Sequence, residues 1–131
     1  MTYFNAHTQL GELKNALHNA PDKALVICYC AQWCRTCQQY QDSFIELAAQ
    51  WPDYDFIWID IEELPELLGD EDIEDFPSIQ VQYGQKVVFF GTMLPHSEHL
   101  DRLLRDFHHQ AEHASAKPSP GDLRALVATT A

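Results

Sequence analysis

Ala24-Leu25-Val26-Ile27-Cys28-Tyr29-Cys30-Ala31-Gln32-Trp33-Cys34-Arg35-Thr36-Cys37 changes character part-way along. Its first six residues are a short, unbroken apolar run with β-branched members. That pattern predicts a parallel strand buried on both faces. After the Cys34-x-x-Cys37 spacing, Tyr40, Phe44, Leu47 and Ala48 form the apolar stripe of a helix running to about residue 50. Trp51-Pro52-Asp53 stops that helix, and Phe56-Ile57-Trp58-Ile59 reads as a second buried strand. The unit is β-α-β, with Cys34 at the junction of strand and helix. In open α/β sheets, sites form outside the carboxyl ends of the strands, which is where this junction falls.

Upstream, Leu10, Leu13, Leu17 and Ala20 fall near helical spacing and predict a helix over 8–20, with Thr8 as N-cap and Pro21-Asp22 as its stop. Downstream, an acidic stretch holds a short helix near 65–68. Residues 78–83 and 86–90 then bracket Gly84-Gln85, the spacing of an antiparallel hairpin. Leu100, Leu103, Leu104 and Phe107 mark a last helix at i, i+3, i+4, i+7. From 110 to 131 the chain is rich in Ala, Ser, Thr and Pro, and Pro118-Ser119-Pro120-Gly121 breaks structure. The expectation is one α/β domain over 1–109 and a mobile tail over 110–131.

A chain of 131 residues suits one domain with a real core. Eight basic residues against 20 acidic ones, net −12, argue against nucleic acid and against an anionic membrane surface. A neutral or basic partner is allowed. No apolar run is long enough for a bilayer. The opening Met1-Thr2-Tyr3-Phe4-Asn5-Ala6-His7 lacks a secretory pattern, so a cytoplasmic location is expected.

The four cysteines all lie between positions 28 and 37. Disulfides that staple a secreted domain close long loops, so this clustering points to site chemistry instead. A thiolate is the attacking species in disulfide exchange. Cys34 stands where a helix begins, where unpaired N–H groups and the adjacent Arg35 favour negative sulfur. Cys37 is one turn on and can resolve a mixed disulfide formed at Cys34. Cys28 and Cys30 share one strand face and are read as core packing. A four-cysteine metal site would need all four sulfurs to converge, and a strand face pointing along the core offers poor convergence. No metal and no organic cofactor is expected.

Residues 8–107 resemble the thioredoxin family. The matching pieces are the first helix, the strand running into Trp33-Cys34-Arg35-Thr36-Cys37, the 56–59 strand, Asp75-Phe76-Pro77-Ser78, the hairpin with Gly84 and Gly91, and the last helix. The resemblance implies a thioredoxin-like fold with a central mixed sheet flanked by helices. It also implies a cis peptide before Pro77 facing the cysteine pair, with the backbone there docking substrate by short strand addition. The chain departs from the family at named places. Arg35-Thr36 replaces Gly-Pro, and Asp42 stands where members often carry a helix-kinking proline, so a straighter helix is expected. Cys28 stands where the family has a buried acid, Trp58 where it has a lysine, and Cys30 where it has an aromatic residue. The family's first strand has only Thr2-Tyr3-Phe4 to draw on.

The resulting expectation is a thiol–disulfide oxidoreductase acting on protein disulfides and dithiols. Cys34 and Cys37 are catalytic; Trp33, Arg35, Thr36, Phe76 and Pro77 bind substrate; a separate reductase or oxidant recycles the pair. The acidic residues Glu62, Glu63, Glu66, Asp70, Glu71, Asp72, Glu74 and Asp75 form a solvated face or a recognition surface for basic partners. His108, His109 and His113 are read as exposed helix-end residues, Trp51 and Trp58 as core. The alternative is a binding or assembly module with little redox turnover, favoured by the altered dipeptide and the missing acid.

Overall fold

The computed structural model describes residues 3–31, 33–68, 73, 76–92, 96–110 and 121–128, the side chains of 97 and 106–110 excepted. Its elements are β1 (Tyr3–Asn5), α1 (Leu10–Asn19), β2 (Ala24–Cys30), α2 (Arg35–Gln50), β3 (Tyr54–Asp60), a 3-10 turn (Pro65–Leu68), β4 (Ser78–Tyr83), β5 (Lys86–Thr92), α3 (Ser97–Gln110) and α4 (Leu123–Ala128). One mixed five-stranded sheet runs in the order β1-β3-β2-β4-β5. β1, β3 and β2 are parallel, and β4 and β5 continue antiparallel.

β2 is central, and all seven of its residues are buried. Alternation along the strand divides them between two cores. Val26, Cys28 and Cys30 face α2 and α3, packing with Tyr40, Phe44, Leu47, Leu100 and Leu104. Leu25, Ile27 and Tyr29 face the other layer, with Leu13, Leu17, Leu67, Leu123 and Val127. Phe44 is the hub of the first core, with ring centroids of Phe56, Trp58, Tyr40 and Tyr3 at 5.2, 5.6, 6.0 and 6.2 Å. Burial of such a ring contributes roughly 1.5–3 kcal/mol. α2 runs unbroken through Asp42. In the hairpin between β4 and β5, Gly84 takes φ +59°, which the turn requires and a side chain would resist.

Two expectations are corrected. Thr8 is not the N-cap of α1. Gln9 holds that position without a side-chain cap bond, because the Asn5 side chain accepts from the amides of His7 and Thr8 at 3.0 and 3.3 Å and closes the turn first. The expected tail over 110–131 is also not all tail, because residues 121–128 carry α4 with Leu123 and Val127 fully buried. The Arg124 guanidinium donates to the carbonyls of Ala20 (2.9 Å), Lys23 (2.7 Å) and Gly84. The Leu123 amide donates to Gln82 Oε1 at 2.9 Å. These bonds satisfy three loop carbonyls and fix α4 on the α1 side of the sheet. His113 lies outside the described residues, as do the side chains of Phe107, His108 and His109.

Candidate functional site

Parallel pairing brings the carboxyl ends of β1, β2 and β3 together. Cys30 at the end of β2 is in register with Asp60 at the end of β3, and its carbonyl accepts from the Ile61 amide at 2.9 Å. The chain then turns tightly, the Cys34 amide donating to the Ala31 carbonyl at 3.0 Å. Cys34 is the N-cap of α2, with extended backbone and no side-chain cap bond. Its carbonyl accepts the first helical hydrogen bond, from the Gln38 amide at 3.1 Å. Of the four cysteines, Cys34 alone is not buried; Cys28, Cys30 and Cys37 are.

Cys30 and Cys37 form a disulfide, with Cα atoms 5.8 Å apart, within the ordinary bridging range. Cys34 and Cys28 are unbonded, and Cys28 Sγ lies 3.6 Å from Cys30 Sγ. The reading of Cys30 as inert packing is thereby corrected. Cys30 is the last residue of its strand on the face that α2 crosses, and the first turn of α2 sets Cys37 down onto it. Cys28 remains in the core, where burial pushes its thiol well up from the usual range. The hydroxyls of Tyr29 and Tyr40 are also pushed up, by burial first and by Cys28 second.

Trp33 projects from the turn, 65% exposed. Its ring meets Phe76 edge-on at 5.6 Å, and its indole N–H donates to Glu62 Oε1. The Phe76–Pro77 peptide is cis, and Pro77 is buried. Arg35 is exposed and Thr36 half-buried. Trp33, Cys34 and Phe76 thus stand at one rim, where Glu62 of the acidic run joins them. Glu63 and Glu66 are exposed, and Asp70, Glu71, Asp72, Glu74 and Asp75 lie outside the described residues.

On the other side of Cys37 a cleft of about 340 Å³ opens, lined by Asn5, His7, Gln41, Trp58, Asp60 and Glu63 among others. His7 Nε2 lies 3.6 Å from Glu63 Oε2. Of these polar residues the sequence marks Glu63 alone, through the acidic run, and leaves Asn5, His7, Gln41 and Asp60 unmarked. The available signal was the parallel register, which sets the end of β3 beside the end of β2.

The family model described as Thioredoxin matches residues 5–102. A thioredoxin from Geodia cydonium is 33% identical over 77 residues, covering 59% of this chain and 73% of that protein. Thioredoxin H5 from Oryza sativa subsp. japonica is 34% identical over 56 residues, covering 43% of this chain and 42% of the relative. A solved poplar thioredoxin h superposes with a TM-score of 0.69 at 20% identity, over 82% of this chain and 97% of that one. Thioredoxin O1 from Arabidopsis thaliana, in its oxidized state, gives 0.64 at 20% identity, over 81% and 97%.

Proposed function

The chain belongs to the thioredoxin family, which carries a thiol–disulfide oxidoreductase kind of role, and from that premise we propose that it exchanges dithiol and disulfide with protein substrates through Cys34 and Cys37. The observation that carries this reading is the exposure of Cys34 alone, at the start of α2, with Cys37 one turn further on. Once a reductant has opened the Cys30–Cys37 bond to two thiols, the Cys34 sulfur attacks a partner disulfide and releases one partner thiolate. The Cys37 thiolate then attacks Cys34 Sγ, closing Cys34–Cys37 and releasing the second partner sulfur, which takes up a proton. Trp33 and Phe76 wall the docking groove, Arg35 and Thr36 border it, and the backbone at Phe76 and Pro77, leading into β4, receives an extended substrate segment. A reductase or oxidant recycles the pair in a cytoplasmic setting.

Turnover of insulin disulfides, with several reductants supplied, tests the reading. Wild type is expected to turn over and Cys34→Ser to be inactive. Wild type inactive with every reductant would overturn it. The pairing of Cys37 with Cys30 rather than Cys34 favours a second reading, a binding module with incidental exchange. In that case partner capture would persist in Cys34→Ser, and insulin turnover would be absent from wild type.

A further inference from the structure

We propose that Cys30 is a third exchange cysteine, and that the Cys30–Cys37 disulfide is a protected oxidised form which Cys34 opens from the surface. This rests on the exchange reading given above. Cys37 has two bridging neighbours. Cys30 is bonded to it, with Cα atoms 5.8 Å apart, and Cys34 precedes it by one helical turn. In this form Cys30 and Cys37 are each 1% exposed, so a folded partner cannot bring a thiolate onto either sulfur. Cys34 is unbonded and half-exposed, on the same first turn of α2.

The relay balances without any further reagent. Cys34 gives its proton to solvent, and its thiolate attacks Cys37 Sγ. The Cys34–Cys37 bond forms as the Cys30–Cys37 bond breaks. Cys30 leaves as a thiolate and takes up a proton. No electron is gained or lost, and the oxidising equivalent has moved from a buried bond to one whose Cys34 end a partner can reach. Cys28 is placed to assist. Cys30 carries no hydrogen while bonded, so across the 3.6 Å contact only Cys28 can donate to the sulfur that must leave. Its own thiol, held protonated by burial, does not compete as a nucleophile.

The test maps disulfides in the full chain. Wild type and Cys34→Ser are oxidised with diamide, alkylated, digested and analysed by mass spectrometry. Cys34→Ser is expected to hold a Cys30–Cys37 link. Wild type is expected to divide between that link and Cys34–Cys37. Absence of Cys30–Cys37 from Cys34→Ser would overturn the proposal. The oxidised proteins are next offered a folded protein dithiol and, separately, a small phosphine. The protein dithiol is expected to reduce Cys34→Ser at least about tenfold more slowly than wild type, and the phosphine to reduce both. Equal rates with the protein dithiol would overturn the relay while leaving the exchange reading intact. Failure of the exchange reading itself is recognised separately, as a wild type that holds the Cys30–Cys37 link yet turns over no insulin with any reductant, and it takes the relay with it.

Discussion

Cys28 and Trp58 are register partners on β2 and β3, at the two positions where the resembled family keeps a buried acid and a lysine. Both charges are gone together, and the neighbourhood they would have occupied is filled by Tyr40, Phe44 and Phe56. Exchange of buried charge for packed apolar groups is often neutral or stabilising. The thiol left behind still titrates. Its folded value lies above its unfolded one because burial disfavours the thiolate. Its contribution is therefore full below about pH 8.5 and is lost as pH rises through the folded value. Oxidised wild type is expected to lose stability above about pH 8.5, at up to about 1.4 kcal/mol per pH unit from this group. Tyr3, Tyr29 and Tyr40 lie around it and are also shifted up by burial, but they add to the slope only above about pH 10. Urea midpoints between pH 8 and 10 are expected to fall less steeply in Cys28→Ala, and parallel slopes would show that the thiol is not the group responsible. The exposed Cys34 was legible at this scale, because a Cys-x-x-Cys at a strand-to-helix junction is a local pattern. The Cys30–Cys37 bond was not, since it depends on where α2 crosses the end of β2, which tertiary packing sets and the local spacing of the cysteines does not.

The elements repeat the lesson in another form. β2, α2, β3 and the β4–β5 hairpin were legible because each carries its own period and its own stop. α4 was not. Only Leu123 and Val127 mark its buried side, and Pro118-Ser119-Pro120-Gly121 stands directly before it. The signal that was available is Asp122, whose carboxylate accepts from the Arg124 amide at 3.0 Å in the manner of a helix cap. Leu123 is fully enclosed by the layer that also holds Leu13 and Leu17. Leu123→Ala is expected to cost about 2–5 kcal/mol, read as a shifted denaturant midpoint. A change within about 0.5 kcal/mol, the range of surface substitutions, would mean that α4 does not pack there in solution.

Across the whole molecule, the mixed sheet sets its parallel half and its antiparallel half on either side of β2, and the site is built at the carboxyl end of that strand. The net charge of −12, with Glu62 at the Trp33 rim, gives an approaching partner a field of one sign. Screening shortens that field to about 10 Å at 0.1 M salt. Exchange with a basic protein disulfide is therefore expected to slow severalfold between low salt and about 0.5 M, and exchange with a neutral one to change little. Equal salt response for the two would assign the acidic run to solvation alone. The three tryptophans stand at three depths in this architecture. Trp33 is on the rim in water; Trp51, expected in the core, is only half-buried at its edge with its N–H donating to Asp101 at 2.8 Å; and Trp58 is in the core beside Cys28. Their emission will therefore separate by colour and by access to a dissolved quencher. A neutral quencher such as acrylamide will reach Trp33 first, so the red edge of the spectrum becomes a label-free reporter of anything that covers the Cys34 rim, while the blue edge follows the interior.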